Sequence, residues 1–159
     1  MPIFSVHEWS VMLRIRVSLA AVVFLTMPAF ATLGEDVSSI RADQARMKAA
    51  VRFLPGQAYA VHEMRVPSGT VVREFVSPAG TIFGVTWQGS FAPDLRQLLG
   101  THFEEYVQAA QAPTNRRGRG LHIETDDMVF ESGGHMRFII GRAYLRSKMP
   151  QGVRADEIR

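Results

Sequence analysis

A short turn motif occurs twice in this chain, and it strongly restricts how the middle of the chain can fold. The two copies begin at Pro67 and Pro78, and each reads Pro-small-Gly-Thr followed by two apolar residues. Proline presets the backbone angle at the first corner of a turn, and glycine adopts the positive φ that closes it. The flanking runs are rich in β-forming residues: Tyr59–Val66, Val71–Val76 and Ile82–Gln88. The sequence therefore predicts a three-stranded antiparallel meander, in which Phe83, Val85 and Trp87 share one face of the third strand.

A helix is predicted on each side of this meander. Apolar residues recur every three or four positions in the first segment, which predicts a helix from Ser39 to Phe53 that ends at Pro55-Gly56. A second apolar stripe, from Leu95 to Ala110, predicts a helix that Pro93 opens. Gly100 lies inside this second helix, at a cost of about 1 kcal/mol relative to alanine.

A second group of strands is predicted after an exposed loop at residues 112–120. The strands are Leu121–Thr125, Met128–Glu131 and Met136–Leu145, and Gly133-Gly134 is predicted to form the last hairpin turn. The order is thus helix, three strands, helix, three strands. This order predicts an α+β domain in which an antiparallel sheet of five to six strands carries both helices on one face.

The segment from Met12 to Ala31 has the pattern of a secretory signal peptide. Arg14 and Arg16 precede an apolar run, and Ala29-Phe30-Ala31 gives the small-x-small pattern of a cleavage site. The apolar run is shorter than the roughly 20 residues needed to span a bilayer. We therefore expect residues 1–31 to be cleaved, with Met12 as an alternative start, and residues 32–159 to form one exported domain, periplasmic or extracellular.

Composition excludes several classes of protein. The chain has no cysteine, so it carries no disulfide and no lipoprotein anchor, and its stability must come from packing. Its formal net charge is only +3, which is too small for an obligate nucleic-acid binder. These properties favour a soluble exported protein of bacteria, with no transmembrane segment after cleavage and no nucleic-acid partner.

Five residues are candidates for ligand or partner binding. His102 falls near the middle of the second apolar stripe, where it is either a general base or metal ligand, or a neutral core histidine bonded to a carbonyl. Arg116, Arg117 and Arg119 lie in the predicted loop and could clamp phosphate groups or an acidic partner. Trp87 is the fifth, although an aromatic residue there more often packs under a helix.

No catalytic residue, metal site or cofactor is predicted. His122 and Glu124 share a strand face, but two ligands seldom hold a transition metal alone. Ser68 and Ser132 lie beside glycines in predicted turns, and neither has the context of a hydrolase nucleophile.

Three segments together resemble the domain of unknown function 2844 family: Tyr59–Gly89, Pro93–Gly100 and Glu131–Phe138. The resemblance covers nearly all of the expected exported chain and is specific in the order of its motifs. It implies an exported proteobacterial protein without an assigned activity, so it transfers no functional residues. The order of a helix followed by three strands is also similar to that of PepSY-type and β-lactamase-inhibitor-like periplasmic domains. The similarity is limited to this order.

Our leading hypothesis is a non-enzymatic binding or interaction module of the cell envelope, whose partner is an envelope protein or an anionic envelope component. One alternative is a small periplasmic hydrolase that uses His102 or the His122/Glu124 pair. A cleft that brings His102 or His122 within hydrogen-bond reach of a serine, aspartate or glutamate would favour it. Another alternative is an enzyme-inhibitor-like domain, which would expose a concave sheet face with aromatic anchors.

Overall fold

The computed structural model describes residues 33–112, 116–117 and 120–159. The predicted signal peptide at residues 1–31, with its alternative start at Met12, lies outside the described residues, as does Arg119.

The described residues form three α-helices and eight β-strands. The helices are α1 (Ile40–Met47), α2 (Leu95–Leu99) and α3 (Phe103–Ala110). The strands are β1 (Ala50–Leu54), β2 (Ala60–Arg65), β3 (Val71–Val76), β4 (Ile82–Gly89), β5 (Arg116–Arg117), β6 (Gly120–Glu124), β7 (Met128–His135) and β8 (Phe138–Leu145). Short 3-10 turns occur at Val37–Ser39, Gly100–His102, Arg146–Lys148 and Ala155–Glu157.

All the strands belong to one antiparallel sheet in the order β1-β2-β3-β4-β8-β7-β6-β5. Two four-stranded meanders, β1 to β4 and β5 to β8, are therefore joined edge to edge where β4 pairs with β8. The predicted α+β class is confirmed, but the sheet is larger than the five to six strands predicted. It has seven strands of five or more residues and the two-residue strand β5, and the order of elements differs accordingly.

The helices cover one face of the sheet, here called the helix face. Ile40 of α1 and Leu98 and Leu99 of α2 share a buried cluster with side chains from the strands, among them Met64 and Phe130. Each of these five is at most 4% exposed. The hydrophobic effect on this face is the main driving force that holds helices to sheet.

The C-terminal segment packs on the other face, here called the opposite face. Ile158 is fully buried there in a second cluster with Phe75, Phe83 and Tyr144. Gly84 leaves the space that Ile158 fills, because a Cβ on Gly84 would lie 3.2 Å from Ile158 Cγ2. The segment therefore closes part of the sheet that the helices leave uncovered.

The prediction that Phe83, Val85 and Trp87 share one face of the strand is wrong for Phe83. The pairing of β3 with β4 skips Phe83, since Val76 lies opposite Ile82 and Phe75 lies opposite Gly84. This β-bulge turns Phe83 to the opposite face, while Val85 and Trp87 remain in the helix-face cluster.

The first predicted helix is too long, and its second half is a strand. α1 ends at Met47, and its C-cap Lys48 has a left-handed backbone (φ 49°). The following residues form β1, in which Val51 lies opposite Met64 of β2. The apolar periodicity continued past the helix end by coincidence, and pairing with β2 overrode the local helical pattern.

The second predicted helix is interrupted at Gly100. This glycine has φ 49° and follows α2, and the chain passes through the 3-10 turn Gly100–His102 before α3 begins at Phe103. The glycine expected to weaken one helix thus divides it in two.

The second group of strands is also revised. Gly133 and Gly134 lie inside β7 rather than at a turn, and the hairpin turns at Met136-Arg137, where Arg137 has φ 67°. A side chain at Gly134 would place a Cβ 2.9 Å from Ile139 Cα, so the glycine permits close pairing of β7 with β8. The predicted loop at residues 112–120 contains β5, which pairs with β6.

The N-cap of α2 gives a first testable prediction. The carboxylate of Asp94 accepts hydrogen bonds from the backbone N–H groups of Arg96 (2.9 Å) and Gln97 (3.2 Å). Asp94→Ala removes the oxygen that accepts both hydrogen bonds and should lower the free energy of unfolding by about 1 kcal/mol. Chemical denaturation measures this, with Asp126→Ala as the control, because Asp126 is exposed and caps no helix. Equal effects of the two substitutions would contradict the role of Asp94.

Candidate functional site

Seven residues that lie directly opposite one another form a single line across the opposite face. We call this line the charge row. In sheet order it consists of Arg52, Glu63, Arg73, Thr86, Arg142, Glu131 and His122. Side chains directly opposite on neighbouring strands interact, so the row is a continuous set of cross-strand pairs.

Ion pairs join the members of the charge row on both sides of Thr86. On one side the Nε of Arg73 donates to Glu63 Oε2 at 2.9 Å. On the other side the Nε of Arg142 donates to Glu131 Oε2 at 2.6 Å, and His122 Nδ1 lies 3.1 Å from Glu131 Oε1. Each of the two carboxylates is thus paired with the arginine that lies between it and Thr86 in the row.

Arg142 also fixes the C-terminal segment. Its Nη1 donates to the backbone carbonyl of Ala155 at 2.7 Å and lies 3.4 Å from that of Ile158. Its guanidinium carbon lies 5.7 Å from the centre of the Tyr144 ring. One side chain therefore links the charge row, the sheet and the segment that packs over it.

The environment of Glu131 reflects these contacts. Burial alone would raise the pKa of the Glu131 carboxyl, but the hydrogen bonds and charges of Arg142 and His122 outweigh it and hold that pKa below its ordinary value. Glu131 is consequently a stable anion at neutral pH rather than a proton donor.

A cavity of about 470 Å³ opens on the opposite face above Thr86. Polar groups on its walls come from the charge row and from Gln88, Ser132 and Arg159. Ile140 and Ile158 supply apolar surface. Gly133 and Gly141 also line it. Gly133 leaves it wide, since a Cβ built on Gly133 would meet nothing within 4 Å. Its size lies in the range typical of small-molecule sites.

The apolar surface continues from the cavity towards the β7–β8 hairpin. Ile140 is 46% exposed and Phe138, two residues before it on the same strand face, is 43% exposed. Met136 at the hairpin turn is 93% exposed. Exposed apolar side chains next to a cavity are typical of a binding surface.

Of the candidate histidines, His122 lies beside this cavity, because it contacts the lining residue Glu131. Its two ring nitrogens face Glu131 (3.1 Å) and Glu124 (3.7 Å), and Glu124 is itself paired with Arg146. The neighbouring Ser132 borders the cavity, but it follows Glu131 in β7, so its side chain points to the other face of the sheet. The proximity of histidine to glutamate meets the condition set for a hydrolase, but no serine accompanies the pair.

His102 lies elsewhere, in the 3-10 turn between α2 and α3 on the helix side. Its Nδ1 is 3.3 Å from Glu105 Oε2, and its side chain is 25% exposed. It is therefore not the buried core histidine that the apolar stripe suggested. It is not among the residues that line the cavity above Thr86.

The other candidate residues are distributed differently. Trp87 is 2% exposed and packs against Phe130 with ring centres 5.5 Å apart, while it also borders the cavity. Arg116 and Arg117 form β5 at the end of the sheet, away from β4 and β8. Within residues 33–112, 116–117 and 120–159, no group of three histidine, cysteine, aspartate or glutamate side chains is arranged to hold a metal ion.

A buried pair of acids lies under the helices. Glu74 and Asp43 are both fully buried, and Gln97 Nε2 donates to Asp43 Oδ1 at 2.6 Å. Burial, the charge of Asp43 and a hydrogen bond with it raise the pKa of Glu74 well above its ordinary value. Two ionised carboxylates would leave both Glu74 oxygens without a donor, so a proton on Glu74 supplies the hydrogen bond between them.

Sequence reasoning did not find the charge row. Its members come from seven strands, and they lie in line only through the strand register. Arg73, Thr86 and Arg142 belong to no local motif for catalysis or ligand binding. The one usable signal was the predicted alternation of β4, which placed Thr86 on the face opposite Val85 and Trp87.

The fold and the cavity together define an α+β domain in which helices cover one face of an antiparallel sheet and a ligand-sized cavity opens on the other. The chain belongs to the DUF2844 family of proteins of unknown function, whose family model matches residues 29–158. The resemblance found from the sequence motifs is thereby confirmed.

No curated protein and no solved structure is significantly similar to this chain. Among the described residues, no helix has the length and apolar character needed to cross a membrane.

Proposed function

We propose that this protein is a non-enzymatic binding module of the bacterial cell envelope, and that it binds a small ligand in the cavity on the opposite face. The observation that carries this proposal is the cavity of about 470 Å³ above Thr86. It combines apolar walls with a few fixed polar groups, which is the usual composition of a small-molecule site.

The polar groups around the cavity are better suited to recognition than to catalysis. Glu131 is engaged by both Arg142 and His122, which fixes its position and keeps it ionised. A general base or acid needs a nucleophile or water positioned within reach, and Ser132 points away from Glu131. These groups therefore orient a ligand rather than react with it.

Export to the envelope rests on the signal-peptide pattern of residues 1–31. Mass spectrometry of the protein from a producing bacterium tests this part of the proposal. An amino terminus at Thr32 would support it, and an intact chain in the cytosol would refute it.

Filling the cavity tests the binding function directly. Gly133→Phe should place a ring in the cavity without a clash, because a Cβ at this position meets nothing within 4 Å. We expect the unmodified chain to bind the neutral apolar dye Nile red, and Gly133→Phe to weaken this binding at least about tenfold, as expected when one interaction of about 1.4 kcal/mol is lost.

The matched control is Thr101→Phe, which adds the same ring at an exposed position on the helix side. Dye fluorescence gives the affinity, and amide chemical shifts of Gly133, Ile140 and Gly141 report whether the dye occupies the cavity. Absence of shifts at these amides, or equal binding by both variants, would refute the proposed site.

The exposed hairpin favours a second candidate, an enzyme-inhibitor-like domain. Phe138 is an exposed aromatic side chain on the opposite face, as such an anchor would require. Capture of a periplasmic enzyme that is lost on Phe138→Ala, with Nile red binding unchanged, would favour this function over the small-ligand module.

A further inference from the structure

Charges alternate along the charge row except at one position. From β1 to β3 the side chains are Arg52, Glu63 and Arg73, and from β8 to β7 they are Arg142 and Glu131. Between the two arginines lies the neutral Thr86 of β4. The order of charges is therefore plus, minus, plus, neutral, plus, minus, and a negative charge is missing at the centre.

No acidic side chain of the neighbouring rows fills this gap. The residues two positions from Thr86 on the same face of β4 are Gly84 and Gln88. Glu63 and Glu131, the nearest acids in the row, lie on the far sides of Arg73 and Arg142. The arginines on either side of Thr86 are two strand spacings apart, roughly 10 Å, so both guanidinium groups can reach one anion above Thr86.

The two arginines retain hydrogen-bond donors for such an anion. Within the described part of the chain, Arg73 donates to a protein acceptor only through Nε, which leaves both Nη groups. Arg142 uses Nε and Nη1, which leaves Nη2. Guanidinium groups with free terminal nitrogens bind carboxylates through charge-assisted hydrogen bonds.

We propose that the cavity binds a small amphipathic carboxylic acid, with the carboxylate above Thr86 between Arg73 and Arg142 and the apolar body along Ile140. This inference rests on the proposed function and names its class of ligand. Charge complementarity with the two arginines favours an anionic group on the ligand. The apolar wall, where Ile140 is 46% exposed, favours an apolar body.

Three ligands that differ only in their polar group test this proposal: octanoate, octan-1-ol and octylammonium. We expect octanoate to shift the amide resonances of Gly133, Ile140 and Gly141 at pH 7. Octan-1-ol should bind at least about tenfold more weakly, since a hydrogen bond to a charged group contributes more than a neutral one. Octylammonium should bind more weakly still.

The outcomes separate this inference from the proposed function. If octan-1-ol binds the cavity as tightly as octanoate, the carboxylate inference is overturned while the binding module stands. If none of the three ligands, nor Nile red, shifts the cavity amides, both are overturned.

Supplying the missing charge from the protein is the second test. Thr86→Asp places a carboxylate between Arg73 and Arg142, so octanoate affinity should fall at least about tenfold more than in the neutral, isosteric Thr86→Asn. The exposed Thr101→Asp, with the same change of residue and charge, should bind octanoate as the unmodified chain does. Equal octanoate affinity of the aspartate and asparagine variants at position 86 would overturn the inference, and circular dichroism confirms that each variant is folded.

Discussion

Gly141→Ala should lower the free energy of unfolding by about 1–3 kcal/mol, the range found when atoms are forced into a packed core. Gly141 lies in β8 directly opposite Trp87, whose ring lies over the glycine. A Cβ there would overlap Cζ2 and Cε2 of Trp87, and it would lie 2.9 Å from the backbone oxygen of Glu131. Because Trp87 is 2% exposed and packed against Phe130, its ring has little room to move.

Chemical denaturation followed by circular dichroism measures this loss, and the near-ultraviolet signal of Trp87 should change as well. The control is Gly133→Ala, in the paired strand β7, where an added Cβ meets nothing within 4 Å. That substitution should leave stability within about 0.5 kcal/mol of the unmodified chain. If both alanine variants are equally stable, the packing of Trp87 over Gly141 is not what requires glycine.

Glu74→Gln should raise the free energy of unfolding at neutral pH by about 1–3 kcal/mol, because the folded unmodified chain must keep a proton on Glu74 above its ordinary pKa, at a cost of about 1.4 kcal/mol per pH unit. The pKa of Glu74 is raised in the folded protein by burial and by Asp43. The folded state therefore keeps a proton that the unfolded state releases as the pH rises above the ordinary pKa of glutamate. Stability should fall with rising pH from about pH 4.5 up to the raised folded-state pKa.

The glutamine amide introduced by Glu74→Gln cannot ionise and can donate to Asp43, so this part of the pH dependence should disappear. Denaturation at a series of pH values from 4 to 8 measures the slope. Glu104→Gln is the control, because the Glu104 side chain is 68% exposed and its loss should change stability little. An unchanged slope, or a lower stability at neutral pH in the Glu74→Gln variant, would contradict the shared proton.

The sequence predicted the meander β2–β4 well because its information is local. Gly69 and Gly80 have φ of 87° and 83°, as the two turn motifs require. Proline and glycine fix such turns through their own backbone preferences, so neighbouring strands follow without knowledge of the rest of the fold.

Elements that depend on distant partners were not predicted. β1 carries a helical apolar pattern and becomes a strand only because β2 pairs with it. The bulge at Phe83 depends on pairing with β3, and the role of Gly134 depends on close approach to Ile139. These are tertiary contacts, which local propensity does not contain.

The candidate site was harder still to predict. His122 was identified as a candidate, but its partner Glu131 was named as the last residue of a predicted strand, with no pairing to His122. The arginines at the centre of the row were missed because Arg73 and Arg142 lie in different meanders and approach only through the register of β4 with β8. In a chain with many arginines, no single one is distinctive before the sheet is assembled.

The joint between β4 and β8 has a consequence for folding kinetics. Within each meander the strands connect through short turns, whereas Gly84 and Tyr144 meet across the sheet from distant parts of the chain. Closing that long loop costs entropy before its contacts form, so we infer that each meander orders first and that their docking is the late step. The cavity, with walls from both meanders, is completed only in that last event, and a bound molecule would slow the separation of the halves.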